Sequence, residues 1–285
     1  MSRATALGSG AIVLWSFLAL FTVGASDVPP LLLNALCFAI ATGVGTAWIT
    51  VTGGWGQLRG IPPAAYAVGV TGLAGYHLLY FLALRNAPPA EAGIIAYLWP
   101  LLIVLLSGLL PGERLRAAHV AGALLGFAGA AILIGARGLS DASALPGYLL
   151  ALACALTWSG YSVLSRRLSA VPTAAVTVFC AAAAVLSALA SAALETPAWP
   201  APGAWLAIAG LGLGPVGLAF FLWDVGMKRG DIQLLGVLSY GAPLISTLVL
   251  VVAGVAEPTP ALFAAACLIT AGAAIAARAG RRVSS

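Results

Sequence analysis

Gly93-Ile94-Ile95-Ala96-Tyr97-Leu98-Trp99-Pro100-Leu101 and Gly236-Val237-Leu238-Ser239-Tyr240-Gly241-Ala242-Pro243-Leu244 carry one pattern, Gly-x-x-x-Tyr-x-x-Pro-Leu, at an offset of 143 residues. The same register holds outward from this stretch, without a gap. Trp15-Ser16 falls on Trp158-Ser159, Pro29 on Pro172, Cys37 on Cys180, Gly69 on Gly212 and Arg85 on Lys228. Gly129-Ala130-Ala131-Ile132 falls on Gly272-Ala273-Ala274-Ile275. Matches of Ala and Leu are cheap in so apolar a chain, but Trp, Tyr, Pro and Cys matches in one register mark an internal duplication.

The medium around this duplication follows from composition. Of 285 residues, 62% are hydrophobic and 7% charged, against roughly 25% charged in an ordinary soluble domain. Too few charges remain to cover a water-facing surface, so the solvent for most of it is lipid. Apolar runs span about 6–26, 30–52, 64–85, 88–110, 117–137, 144–165, 172–194, 203–227, 231–254 and 259–278. Each approaches the roughly 20 residues a membrane-crossing helix needs. Gly and Pro turns separate them, among them Gly53-Gly54, Pro111-Gly112 and Ala201-Pro202-Gly203. The runs do not alternate polar and apolar residues as barrel strands do. The expected fold is all-α integral membrane: ten transmembrane helices as two five-helix repeats, 1–140 and 141–285. Five is odd, so the second repeat enters from the opposite face and the two are inverted.

Basic residues orient the chain. With ten spans, the side of the N-terminus holds Arg3, Arg59, Arg114, Arg116, Arg166, Arg167, Lys228, Arg229, Arg278, Arg281 and Arg282, and the opposite side Arg85 and Arg137. Eleven against two places both termini in the cytoplasm. Arg3, the apolar run Ala11–Val23 and the small residues after it resemble a signal peptide. Because Trp15-Ser16 has its mate at Trp158-Ser159, the first span is expected to stay as a structural helix. The net charge of +5 is scattered over short loops with no basic stripe, which argues against nucleic acid.

Two five-helix halves in tandem resemble the drug/metabolite transporter superfamily, specifically its EamA-type exporters. The resemblance spans nearly the whole chain. It is carried by Ala90-Glu91-Ala92-Gly93, by Tyr97-Leu98-Trp99-Pro100-Leu101, by Gly112-Glu113-Arg114-Leu115 and by the Gly-rich fifth span. The second half departs from it: Glu257 lies one position off register and no Arg follows. The cluster Tyr76-His77, Tyr80 and Tyr97-Leu98-Trp99-Pro100 looks most like the aromatic amino acid exporters of this group. The resemblance implies export of aromatic amino acids and related amphiphiles from the bacterial cytoplasm through a central cavity. The implied partners are that small substrate and membrane lipid, and no cofactor is implied.

Residue chemistry gives the candidates independently. Tyr76, His77 and Tyr80 share one helical face, roughly 7–14 Å below the interface marked by Arg85. They read either as a cavity wall offering ring faces and hydroxyls or as packing with satisfied hydroxyls. Tyr97, Trp99 and Tyr240 accompany Pro100 and Pro243, which free the carbonyls of Ala96 and Ser239 and permit bends. The bends read as midplane elements that rock, or as static kinks. Gln233 and Thr247 extend the stripe around Tyr240. Trp158, with Tyr161 one turn on, and its mate Trp15 sit mid-span and flank a cavity or pack. His77 and Asp224 are ionisable groups inside the spans and candidates for a proton or polar role, with an i,i+4 pair to Lys228 the plainer reading of Asp224. Glu91 and Glu113 are expected to cap helices or pair with Arg85 and Arg116.

The remaining chemistry is exclusion. Cys37, Cys154, Cys180 and Cys267 lie in apolar runs without Cys-x-x-Cys spacing, so they read as small packing residues, with no disulfide or metal site. Two histidines assemble neither a metalloprotease helix nor a triad, and no phosphate-binding loop is present. No catalytic residue is assigned. A phosphate or nucleotide-sugar carrier wants a mid-span Lys or Arg, and a small cationic-drug exporter wants a Glu where Trp15 stands. A lipid-modifying membrane enzyme wants clustered His, Asp or Glu near one interface. Other small metabolites or drugs stay open as cargo of an aromatic-lined cavity.

Overall fold

The computed structural model describes residues 1–134, 142–196, 198–254 and 257–281. Arg137 and Arg282, counted above, lie outside them. Among the described residues every regular element is helical. In chain order the apolar helices are α1 (Arg3–Val23), α2 (Pro30–Val51), α3 (Pro63–Asn86), α4 (Pro89–Ala96 and Trp99–Ser107), α5 (Ala117–Ile134), α6 (Leu145–Arg167), α7 (Ala175–Leu194), α8 (Ala204–Arg229), α9 (Ile232–Val252) and α10 (Pro260–Arg281). Eight are long and apolar enough to cross a membrane, whereas α4 and α5 are shorter.

Proline begins α2, α3 and α4 at positions where the missing N–H costs nothing, because no helix satisfies its first donors. Inside the helices it acts in the opposite sense. α4 breaks at Tyr97-Leu98 and α9 at Ser239-Tyr240, each just before its proline. In α9 the Ser239 carbonyl accepts from Ala242 N–H in a tightened turn. α1 breaks at Ser16-Phe17, yet its mate region in α6 runs through unbroken. α3 and α8 each widen into a π-turn, Thr71–Gly75 and Gly214–Leu218, at the same register of the duplication. Both turns are glycine-rich, and Pro215 removes a donor from the second.

The packing repeats with the sequence. α5 crosses α10 at Gly122 and Gly272, where a methyl on Gly122 would sit 2.6 Å from the Gly272 carbonyl. The mate crossing, Gly129 against the Ala265 carbonyl, belongs to the same pair of helices. One helix of each half therefore meets the other across a local pseudo-two-fold. Likewise α1 meets α8 at Gly8 and Gly226, and the mates Ala151 of α6 and Ala83 of α3 share a fully buried cluster. The third helix of each half thus leans on the first helix of the other. Small residues permit this approach in lipid, where packing rather than water drives association.

Polar groups gather at the two ends. At one end Arg166 donates to Glu113 at 2.6 Å and to the carbonyls of Met227 and Gly230, while Gln233 donates to the other Glu113 oxygen. At the opposite end Glu195 caps α2 by accepting from Leu31 and Leu32 N–H, with Arg85 3.8 Å away. Glu91 stands in the first turn of α4, as expected of a capping acid, and both acids also have partners that the spacing does not suggest. Glu113 reaches across to Arg166 on α6, and Glu91 accepts from the Tyr148 hydroxyl. Such pairs join segments far apart in sequence, which spacing alone does not reveal.

Candidate functional site between the two halves

Rings from seven helices meet where the halves join. Trp15 of α1 lies 5.8 Å from Trp158 of α6, 6.1 Å from Trp99 of α4 and 5.0 Å from Trp223 of α8, centroid to centroid. Most of these pairs are edge-to-face or tilted, the arrangement that ring quadrupoles favour. Phe220 of α8 stacks on Phe38 of α2 at 5.7 Å and touches Trp15, Trp158 and His77. Tyr76 contacts Trp158 and stacks parallel to Tyr80. Tyr97 bridges Trp99 to Tyr240 of α9.

The expected residues divide into two layers. Tyr76, His77, Tyr80 and Tyr97 are half-buried. Trp99, Trp158 and Tyr161 are buried among the rings. Tyr240 is fully buried, seated against Gly126 of α5, and its hydroxyl accepts the Leu101 N–H of α4 at 3.0 Å. Pro100 and Pro243 mark real breaks. Asp224 takes the plainer course: it pairs with Lys228 at 2.8 Å and accepts from the Thr173 hydroxyl, while Lys228 also donates to the Val171 carbonyl. This pair lines a small recess with Tyr161, Ser165 and Phe179.

The polar handles are few and aimed. Trp15 Nε1 donates to the Pro215 carbonyl in the α8 π-turn, and Trp223 Nε1 donates to Ser162. His77 Nδ1 donates to the Leu73 carbonyl in the α3 π-turn at 2.7 Å, which leaves Nε2 of the neutral ring as an acceptor. Both π-turns therefore offer a carbonyl to a ring of the cluster, consistent with the tendency of such bulges to mark functional positions. The set can stack flat rings and offer hydroxyl and imidazole contacts. Among the described residues no three His, Cys, Asp or Glu side chains approach as metal ligands would.

Three cluster members escaped sequence reasoning: Phe38, Phe220 and Trp223. A signal existed for two. Phe220 and Trp223 are the register mates of His77 and Tyr80, so reading the α3 face across the duplication would have found them. Phe38 has Ala181 as its mate and no such signal.

The EamA-like transporter family matches the chain twice, over residues 3–135 and 145–278. The chain is 56% identical to the aromatic amino acid exporter YddG of Ancylobacter novellus over 285 residues, covering 99% of each protein. It is 26% identical over 258 residues to the aromatic amino acid exporter YddG of Salmonella typhimurium, covering 86% of each. A solved crystal structure, 56% identical, superposes with a TM-score of 0.94 over 98% of this chain and 99% of that one.

Proposed function

This chain belongs to the EamA-like transporter family, and on that premise we propose that it exports aromatic amino acids and related amphiphiles across the bacterial cytoplasmic membrane by alternating access. The observation that carries this reading is the ring cluster at the seam between the halves. Phenylalanine, tyrosine and tryptophan are flat apolar bodies with a polar end. Tyr76, His77, Tyr80, Tyr97, Trp99, Trp158 and Tyr161 supply ring faces with hydroxyls and one imidazole beside them. We assign them to the substrate path, together with Trp15, Phe220 and Trp223.

The reading takes all ten apolar helices as spans, divides the chain near residue 140 and sets both termini in the cytoplasm. Three features support it. The family match falls into two stretches on either side of that point. Arg166, Glu113, Met227, Gly230 and Gln233 come from helix ends and loops assigned to one face. Arg85 and Glu195, assigned to the opposite face, meet there.

The same topology gives the present conformation a direction. On the cytoplasmic side Trp223, Met227 and Lys228 are buried. Their mates toward the outside, Tyr80, Leu84 and Arg85, are half-buried or exposed. This state is closed toward the cytoplasm and looser toward the outside.

The test is efflux. Proteoliposomes loaded with labelled phenylalanine or tryptophan lose label faster than protein-free vesicles, and unlabelled tyrosine outside exchanges with it. Equal rates overturn the reading. Running the assay with and without a pH gradient separates proton coupling from facilitated movement.

A further inference from the structure

Tyr240 stands apart from the other candidates. It is fully buried, and its hydroxyl is committed to backbone. Leu101 follows Pro100 at the α4 break, and its N–H donates to this hydroxyl of the other half. A buried donor in a membrane needs such a partner. Two further ties join the same stretches. Gly236 lies against the Pro100 carbonyl and Val104, and Gln233 donates to Glu113 just past the end of α4. All three lie on Trp99–Ser107 or the loop after it and on Ile232–Tyr240, the cytoplasmic portions of α4 and α9 in the topology above. Glu113 is also the partner of Arg166. These contacts connect the Tyr240 hydroxyl through α4 to the cytoplasmic ion pair.

The mate bend lacks this strut. Tyr97 is only half-buried, and no hydrogen bond from its hydroxyl is found among the described residues. The seat explains why. The Tyr240 ring rests on Gly126, where any side chain would collide with it. The mate of Gly126 is Ile269, a buried branched side chain. The duplication has kept both tyrosines and both prolines but built one seat.

We infer that Tyr240 is a positioning residue for transport, a one-sided strut that holds the α4 bend and thereby the closed cytoplasmic face. It does not contact substrate. The inference rests on the proposed topology and direction, but its test needs no substrate and so separates its failure from failure of the export reading.

Ser165 is buried in the recess beside Asp224 and Lys228. In protein with the four native cysteines replaced by alanine, Ser165→Cys reports opening by its rate of reaction with a maleimide fluorophore. Tyr240→Phe keeps the ring and removes the acceptor, leaving the Leu101 N–H unpaired. Labelling then accelerates about ten-fold, and Tyr97→Phe in the mate bend leaves it unchanged. Gly126→Ala, which unseats the ring and spares the hydroxyl, accelerates labelling as well, so one poorly folding variant does not end the test. In the efflux assay Tyr240→Phe changes the maximal rate for phenylalanine and tryptophan alike and leaves KM in place. Unchanged labelling in both Tyr240→Phe and Gly126→Ala overturns the inference. So does a KM effect confined to one substrate, which would make Tyr240 a substrate contact.

Discussion

The second part of α3, Tyr76–Asn86, and the second part of α8, Ala219–Arg229, are the same element twice. Both follow a π-turn, both carry a basic residue in the last turn, and both carry an aromatic face, His77 and Tyr80 in one and Phe220 and Trp223 in the other. Their surroundings differ. Trp223 and Met227 are enclosed, while Tyr80 and Leu84 remain partly accessible. The Lys228 side chain is 5% exposed and sits 2.8 Å from Asp224, whereas the Arg85 side chain is 45% exposed and stands 3.8 Å from Glu195. Two elements of one ancestry thus occupy a shut end and a slack end. The difference shows that polarity in this protein comes from how a common element is packed, with the sequence adjusted to suit: imidazole and phenol at the slack end, phenyl and indole at the shut one.

The largest way to sharpen this comparison is to remove each basic residue. Lys228→Ala strands Asp224 in an apolar interior and costs about 3–5 kcal/mol. Arg85→Ala removes a solvated partner and costs about 0–1 kcal/mol. Thermal unfolding in detergent reads both. Equal losses would mean that the two ends are held alike. A mid-sized effect comes from the α3 π-turn. Gly72 lies under the Tyr161 ring, so Gly72→Ala overpacks and costs about 1–3 kcal/mol. Gly75, three residues on, has room, and Gly75→Ala stays within about 0.5 kcal/mol. A smaller effect than overpacking comes from His77→Phe, which gives α3 the residue of its mate. It forfeits the Leu73 hydrogen bond, worth about 1 kcal/mol. Phenylalanine efflux slows several-fold while the melting temperature shifts little. Undiminished efflux would remove His77 from the substrate path.

Much of this was legible in the sequence because the duplication repeats its rare residues. Pro100 and Pro243 announce the breaks they cause, since a missing N–H and a ring clash act locally. Tyr76, His77 and Tyr80 announce a polar-aromatic face because helical spacing is local too. The π-turns were not legible. Gly72, Gly75, Gly214 and Gly217 permit a widened turn without requiring one, and the partners that use it, Trp15 and His77, lie on other helices or a turn away. The reach from Arg166 to Glu113 was also hidden, because it depends on how α6 meets the loop after α4. Nor does the sequence register say which end is shut. Mates differ in exposure through the arrangement of whole halves, and no single spacing carries that.

The close crossing of α5 and α10 has a consequence in time. Gly129 of the first half and Gly272 of the second are separated by 143 residues of chain. At about 5–20 residues per second, α5 leaves the ribosome ~7–30 s before α10. Through that interval Gly122 and Gly129 have no native partner. A nascent chain stalled before α10 would display a narrow, small-residue groove of the kind that captures another helix.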